Sequence, residues 1–257
     1  MKLSGKIAMV TGGSRGIGRA IAVAFAEAGA DLVVNSVKNR QSAEKVRNTI
    51  ANLGKSCLIV QADVANASQV NTLINRAIGE YGRIDILVNN AGVIGLAPFL
   101  EVSEKEWDRI VDTNLKGYFL CGQAVAREMA RLKKGKIINI SSTGERFVAR
   151  GRAPYCVSKS GVNMLTKVMA VELAEYGINV NAIAPGLTDT DINRPLIRDE
   201  SLLNERLKHI PLHRVAKPEQ IAKVALFLVS DDANFITGET VWIDGGDSLQ
   251  LDIIKRK

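Results

Sequence analysis

Short apolar runs alternate along the chain with longer segments in which apolar residues recur every three or four positions. The short runs have the length and β-branched content of buried strands, and the longer segments have the period of amphipathic helices. Strands are predicted at Ile7–Val10, Asp31–Ser36, Cys57–Ala62, Ile84–Val88, Lys136–Ile140, Ile178–Ile183 and Thr240–Ile243. Helices are predicted at Arg19–Ala28, Gln41–Leu53, Ser68–Tyr81, Glu104–Lys116, Tyr118–Leu132, Val157–Tyr176 and Pro218–Val229. The alternation predicts an α/β fold with a doubly wound parallel sheet of about seven strands and helices on both faces.

The whole chain, residues 1–257, is predicted to be a single domain, because no repeat and no Pro/Gly-rich linker interrupts this alternation. The segment at about 187–215 is charged and irregular and has no strand pattern. Since it follows a strand end, it is predicted to act as a lid over a bound ligand. The helix Val157–Tyr176 is apolar on more than one side, which predicts one face against the sheet and another against a second subunit.

Composition adds limits on location and on metal chemistry. The chain of 257 residues is 46% hydrophobic and 24% charged, with no apolar run long enough to span a bilayer and no signal-peptide pattern. We therefore expect a cytoplasmic protein without a membrane partner. Cys57, Cys121 and Cys156 are far apart and odd in number, so we interpret them as core residues. With only His209 and His213 as histidines, we expect no metal site.

The net charge of +7 raises the question of a nucleic-acid partner. Its cations cluster at Arg127–Lys136, at three loop arginines and in the tail Lys255–Lys257, without interleaved aromatic residues or a nucleic-acid motif. We therefore expect no nucleic acid. A solvated surface with affinity for an anionic cofactor or substrate is the favoured interpretation.

A glycine-rich turn, Thr11–Gly18, lies between the first strand and the first helix. Glycines there let the backbone approach a phosphate, and the helix N-terminus supplies free N–H groups and partial positive charge. The turn predicts a Rossmann-type dinucleotide site. Its predicted contacts are Gly12, Ser14, Arg15, Gly16, Ile17 and Gly18.

The second strand ends in Asn35 and Ser36 and carries no carboxylate to bind the adenosine ribose of NAD. Ser36, Lys38, Arg40 and Arg15 offer donors for a 2′-phosphate instead. NADP(H) is therefore the predicted cofactor, with NAD as the alternative. The alternative interpretation, that Lys38 and Arg40 are ordinary surface cations, stays open.

Tyr155 and Lys159 lie four residues apart in a helical pattern, so both side chains are on one face. An ammonium close to a phenol favours the phenolate and lowers the phenol pKa. Ser142, at the end of the fifth strand, offers a hydroxyl to polarise a carbonyl facing that phenol. Together these groups suit proton transfer to a carbonyl oxygen. Taken alone, the same spacing fits a half-exposed tyrosine beside a solvated lysine.

With these motifs in register, nearly the whole chain resembles the short-chain dehydrogenase/reductase family. The resemblance rests on the glycine turn, on Asp63-Val64, on Asn89–Gly92, on the series Asn114, Ser142, Tyr155 and Lys159, and on Pro185-Gly186 with Thr190. It implies that Tyr155 is the general acid/base, Lys159 its pKa-lowering neighbour, Ser142 the group that orients substrate, and Asn114 the holder of a relay water. From the strand ends and the resemblance together, the further cofactor contacts predicted are Asn35, Ser36, Lys38, Asp63, Val64, Asn90, Ala91, Gly92, Tyr155, Lys159, Pro185, Gly186, Thr188 and Thr190.

The resemblance also implies a homotetramer. Two stretches depart from the family pattern: His213-Arg214 replaces a common glycine-arginine, and the loop 143–152 is unusually basic. We hypothesise that Arg146, Arg150 or Arg152 contacts an anionic or polyhydroxylated substrate, with solvent-facing arginines as the alternative.

The function predicted is an NADP(H)-preferring oxidoreductase that interconverts a secondary alcohol and a ketone of a sugar, polyol or sugar acid. The alternative is a 3-oxoacyl-[acyl-carrier-protein] reductase, for which Arg127, Arg131, Lys133 and Lys134 offer a basic surface to an acidic carrier. An alternative of another class is a non-catalytic nucleotide-binding sensor, which predicts a lost tyrosine or lysine.

Overall fold

The fold is a three-layer sandwich around one parallel sheet, seen in a computed structural model that describes residues 1–249. The basic tail Lys255–Lys257 lies outside the described residues. The strands are β1 Ile7–Val10, β2 Asp31–Ser36, β3 Cys57–Gln61, β4 Ile86–Asn89, β5 Gly135–Ile140, β6 Ile178–Pro185 and β7 Thr240–Ile243. Their order is β3-β2-β1-β4-β5-β6-β7, and every neighbouring pair is parallel. The predicted doubly wound sheet is confirmed.

Helices cover both faces of the sheet. They are α1 Gly16–Glu27, α2 Arg40–Asn52, α3 Ala67–Tyr81, α4 Glu104–Val111, α5 Gly117–Leu132, α6 Ala153–Leu173, α7 Arg194–Arg198, α8 Glu200–Lys208 and α9 Pro218–Val229. Successive strand residues point to opposite faces. Ala8 and Val10 of β1 therefore join a core with α1, α2 and α9, whereas Ile7 and Met9 join a second core with α3, α5 and α6.

Several helix boundaries differ from those expected from the sequence, and three differences matter for the site. Helix α1 begins at Gly16 rather than Arg19, so the glycine turn itself forms the first helical turn. Helix α6 begins at Ala153 rather than Val157, because Pro154 has a backbone angle that suits the first turn. Helices α4 and α5 are joined by a π-helical turn at Asp112–Lys116, which the hydrophobic period did not reveal.

The predicted lid, residues 187–215, contains α7 and α8 and lies against the glycine turn and the C-terminal loop. Asp191 pairs with Arg15 at 3.3 Å, and Arg206 donates from Nη1 to Oδ1 of Asp247 at 2.8 Å. One parallel bridge joins Thr188 to Ala216. His213, at the position where the family commonly has glycine, adopts the left-handed φ of 47° that favours glycine. Closure of this segment over a ligand stays a prediction.

Helix α6 buries one side and exposes apolar residues on the other. Met164 is 60% exposed and Val171 79%, with Val157 and Val168 also exposed. This pattern agrees with the expectation of a second apolar face, and the homotetramer stays a prediction. Within residues 1–249, none of the helices has the length and apolar character needed to cross a membrane.

Candidate active site

A cavity of about 1110 Å³ lies at the carboxyl edge of the sheet. Its lining comes from the segments that follow β1, β2, β3, β4, β5 and β6, and from the predicted lid. Parallel strands bring their carboxyl ends to one edge, which is where doubly wound folds bind ligands. The cavity therefore collects segments that are far apart in the sequence.

The glycine turn forms one end of this cavity. Gly12 and Gly16 adopt left-handed φ values of 60° and 53°, which a β-carbon disfavours. Arg15 precedes α1, and among the described residues no side chain caps the first turn of this helix. Its N–H groups and partial positive charge suit a phosphate. The turn therefore fits the pyrophosphate of a dinucleotide.

Two predicted cofactor contacts, Gly18 and Asn35, do not line the cavity in the described chain. Asn35 is fully buried; its Oδ1 accepts from the N–H of Gly12 at 3.3 Å, and its Nδ2 donates to the carbonyl of Ala62 at 2.8 Å. Gly18 packs beside Asn90, whose Nδ2 donates to the carbonyls of Thr11 and Gly12. Both residues support the turn, and a direct contact between either of them and the cofactor stays a prediction.

We predict that Gly18→Ala destabilises the protein by about 1–3 kcal/mol, the usual cost of overpacking. An added β-carbon would overlap Nδ2 of Asn90 and lie 2.6 Å from the carbonyl oxygen of Gly12. Gly79→Ala is the matched control, because its β-carbon meets no described atom within 4 Å and it lies in α3. Urea denaturation of both variants checks this. A Gly18→Ala variant as stable as Gly79→Ala would contradict the packing.

The other predicted cofactor contacts all line the cavity. They are Gly12, Ser14, Arg15, Gly16, Ile17, Ser36, Lys38, Asp63, Val64, Asn90, Ala91, Gly92, Tyr155, Lys159, Pro185, Gly186, Thr188 and Thr190. Arg40, which was considered for the 2′-phosphate, does not line it and instead pairs with Glu44 at 4.0 Å. Ser36, Lys38 and Arg15 remain together at this end of the cavity.

Asn114 lies inside the π-helical turn and is fully buried. Its Oδ1 accepts from the N–H of Val93 at 2.8 Å, and its Nδ2 donates to the Val93 carbonyl at 2.9 Å and to Ser158 Oγ at 3.2 Å. The side-chain amide is therefore engaged with protein groups, which fixes its orientation. The relay itself stays a prediction.

Ser142 and Tyr155 meet across Gly144 at the end of β5. A β-carbon on Gly144 would lie 3.3 Å from Cε1 of Tyr155 and 3.4 Å from Oγ of Ser142. Ser142 Oγ also accepts from the N–H of Gly144 at 3.1 Å, which fixes its side chain. Both hydroxyl-bearing side chains line the cavity and are available to the same ligand oxygen.

Lys159 is buried on the same helix as Tyr155. Its Nζ donates to the carbonyl of Ile140 at 2.7 Å and lies 3.4 Å from Oη of Tyr118. Oη of Tyr118 donates to the same Ile140 carbonyl at 3.1 Å. Burial lowers the pKa of Lys159 to about 7, because the charged form loses its hydration.

The expected lowering of the Tyr155 pKa by Lys159 is not what this arrangement gives. Burial raises the pKa of Tyr155, and the hydrogen bond from Ser142 and the charge of Arg152 partly oppose that rise. The Lys159 ammonium lies 5.9 Å from the Tyr155 ring centre and is hydrogen-bonded to Ile140. Lysine and tyrosine therefore share a buried site, but the groups that lower the tyrosine pKa here are Ser142 and Arg152.

The buried lysine predicts a pH-dependent stability. Its pKa falls from 10.5 to about 7 on folding, so between these values the unfolded chain binds the extra proton. Unfolding free energy then rises with pH across this window, and the cost of the buried charge is greatest at pH 7 and below. Lys159→Met removes this term. We expect the stability of the variant relative to the parent protein to fall by about 2 kcal/mol between pH 7 and pH 9.

Urea denaturation of both proteins at the two pH values measures that difference. Lys167→Met is the control, because Lys167 is exposed on the same helix. Its difference from the parent protein should not change with pH. If the difference in unfolding free energy between Lys159→Met and the parent protein does not change with pH, the site does not disfavour the charged form of Lys159.

Sequence reasoning missed several residues of the site. Tyr118 contacts Lys159 and lies four residues after Asn114, a spacing that places both on one side of a helix. Arg206 and Asp247 line the cavity as an ion pair between α8 and the C-terminal loop, 41 positions apart. No local pattern signals that second contact.

Comparisons with known proteins agree with this geometry. A family model described as enoyl-(acyl carrier protein) reductase matches residues 12–248. The 3-oxoacyl-[acyl-carrier-protein] reductase FabG of Staphylococcus epidermidis is 42% identical over 241 residues, covering 94% of this chain and 98% of that protein. A structure provisionally described as a gluconate dehydrogenase from Agrobacterium tumefaciens aligns with a TM-score of 0.93 at 36% identity, covering 97% of this chain and 98% of that one. A short-chain type dehydrogenase/reductase from Mycobacterium marinum aligns with a TM-score of 0.92 at 38% identity, covering 97% of this chain and 98% of that one.

Proposed function

The chain belongs to the short-chain dehydrogenase/reductase family of oxidoreductases, and on that premise we propose that it interconverts a secondary alcohol and a ketone with NADP(H). One observation carries the proposal. Ser142, Tyr155 and Lys159 converge on a cavity whose other end is a phosphate-compatible glycine turn.

In this proposal Tyr155 donates a proton to the substrate oxygen during reduction and accepts that proton during oxidation. Ser142, fixed by the N–H of Gly144, donates to the same oxygen and polarises the carbonyl. Lys159, held by the Ile140 carbonyl and Tyr118, lies behind the phenol on the same helix. During reduction the Tyr155 phenol gives its proton to the substrate oxygen. A new proton then reaches the phenol through the buried group that Lys159 and Tyr118 form.

In this proposal the cofactor is held by the glycine turn, by Asn90–Gly92 and by Pro185–Thr190. The bound nicotinamide supplies or accepts the hydride. The 2′-phosphate is bound by donors from Ser36, Lys38 and Arg15. These residues line the cavity where β2 ends, and this strand ends without a carboxylate.

The substrate proposed is a sugar, polyol or sugar acid. Two observations support a small polar substrate: the cavity has arginines on its substrate side, and one of the similar structures is described as a gluconate dehydrogenase. Gluconate is a sugar acid with several hydroxyl groups and one carboxylate.

A second candidate is reduction of 3-oxoacyl groups on acyl carrier protein, favoured by the 42% identity to FabG. The basic surface once considered for the carrier does not favour it. Lys133 and Lys134 directly precede β5, whereas Ser142 follows its end. Strand β5 has six residues, so the two sites lie about 20 Å apart, at opposite edges of the sheet. A carrier docked on Lys133 and Lys134 is badly placed to deliver its acyl group.

A substrate panel tests the proposal. Gluconate and related sugar acids, neutral polyols, and acetoacetyl thioesters are assayed with NADPH or NADP⁺ and with NADH or NAD⁺ side by side. We expect the highest kcat/KM with a small sugar acid or polyol. Turnover only of acyl thioesters selects the second candidate, and no turnover by any member contradicts the oxidoreductase assignment to these substrate classes.

A further inference from the structure

The three arginines of the loop before Tyr155 occupy different environments. Arg146 is exposed, lies 5.0 Å from the ring centre of Trp242, and does not line the cavity among the described residues. Arg150 is exposed and lines the cavity at its rim. Arg152 is half-buried and lines the cavity three residues before Tyr155. Only Arg152 therefore combines partial burial with access to the site.

Among the described residues, Arg152 has no carboxylate partner, unlike Arg109 and Arg206, which also line the cavity. Arg109 pairs with Glu106 at 2.7 Å, and Arg206 pairs with Asp247. Within residues 1–249, the Arg152 guanidinium makes neither an ion pair nor a hydrogen bond to protein. A half-buried guanidinium is costly without an anion, and its planar donors match a carboxylate with two parallel hydrogen bonds.

The anion in question is not a cofactor phosphate. The phosphate-compatible turn follows β1, whereas Arg152 follows β5, and β4 lies between these strands. Arg152 directly precedes α6, the helix that carries Tyr155 and Lys159. Arg152 instead adjoins the phenol that serves the substrate oxygen, and its charge already lowers the pKa of Tyr155.

We propose that Arg152 binds a carboxylate of the substrate and thereby selects small hydroxy acids and keto acids over neutral alcohols and ketones. This inference rests on the proposed function, because it names the substrate class of the same cavity. Arg150 at the rim adds to the attraction for anions entering the site. The arginine fixes one end of the substrate while Ser142 and Tyr155 hold the reacting oxygen.

Matched acids and amides test the proposal, since an amide keeps the size of a carboxylate and removes its charge. The probes are gluconate with gluconamide and 3-hydroxybutyrate with 3-hydroxybutyramide. Binding is measured by calorimetry with the NADPH-loaded enzyme, which cannot oxidise these alcohols, and kcat/KM is measured with NADP⁺ for the same pairs. The enzymes are the parent protein, Arg152→Met and, as the loop control, Arg146→Met.

In the parent protein, we expect at least one acid to exceed its amide by about 10–100-fold, the range of a charged hydrogen bond. The ratio of acid to amide should fall to near one in Arg152→Met, with the loss appearing in KM and in binding. Arg146→Met should keep the parent ratio, because Arg146 stacks on Trp242 away from the cavity.

Two outcomes would overturn the inference. One is a parent protein that binds no acid better than its amide. The other is an Arg152→Met variant that keeps the parent ratio, or that weakens acid and amide equally as a structural role would. The binding measurement distinguishes a failure of this inference from a failure of the proposed function. If the acids bind through Arg152 without being oxidised, the anion site stands and the proposed activity fails.

Discussion

Tyr155→Phe should lower kcat/KM by about 10²–10⁴-fold, the usual contribution of a positioned general acid or base. The phenol and the Ser142 hydroxyl converge at the end of β5, and the substitution removes only the oxygen that carries the proton. The ring keeps its packing, so the fold should persist. Steady-state kinetics with the best substrate of the panel measure the effect, and circular dichroism verifies the fold.

Tyr118→Phe is the matched control for this prediction. Tyr118 is the other buried phenol beside Lys159, and it does not line the cavity in the described structure. Its loss removes a hydrogen bond to the Ile140 carbonyl, worth about 1 kcal/mol, so activity should fall by tenfold or less. Equal losses in the two variants would mean that Tyr155 has no special role in proton transfer.

Ser36→Asp combined with Lys38→Glu should reverse the cofactor preference. Both residues line the cavity beyond β2, and the substitution replaces donors for a phosphate with carboxylates. Juxtaposed like charges cost several kcal/mol. We therefore expect kcat/KM with NADPH to fall by roughly 100-fold or more, while the value with NADH changes far less.

Arg40→Met provides the comparison for that pair. Arg40 is a nearby cation that pairs with Glu44 and does not line the described cavity, so the ratio of the two cofactors should stay at the parent value. If the double variant also keeps the parent ratio, the 2′-phosphate does not bind at Ser36 and Lys38.

The sheet could be predicted because its central strands, such as β1 and β4, are buried along their whole length and appear as short apolar runs. β2 and β7 have the predicted bounds. β4 begins two residues later than expected, because the Asp85 side chain accepts from the N–H of Ile7 and pairs with Arg83 before the strand starts. That contact joins residues 78 positions apart, which a local pattern does not report.

The site could be predicted where its residues follow strand ends, and not where their partners lie elsewhere in the chain. Asn35 is the residue before the last one of β2, and its side-chain amide bonds the backbone of Gly12, Val60 and Ala62, which no local pattern reports. The three loop arginines look alike in the sequence. Only the packing distinguishes Arg152 in the cavity from Arg146 against Trp242.

The most direct measurement follows the transferred hydrogen. The enzyme reduces its best ketone with NADPH that carries deuterium at the transferable position of nicotinamide C4, and the alcohol is examined by NMR. Our account predicts deuterium on the carbinol carbon and a solvent-derived hydrogen on the oxygen that Tyr155 serves. An alcohol without deuterium at that carbon would contradict hydride transfer in this cavity.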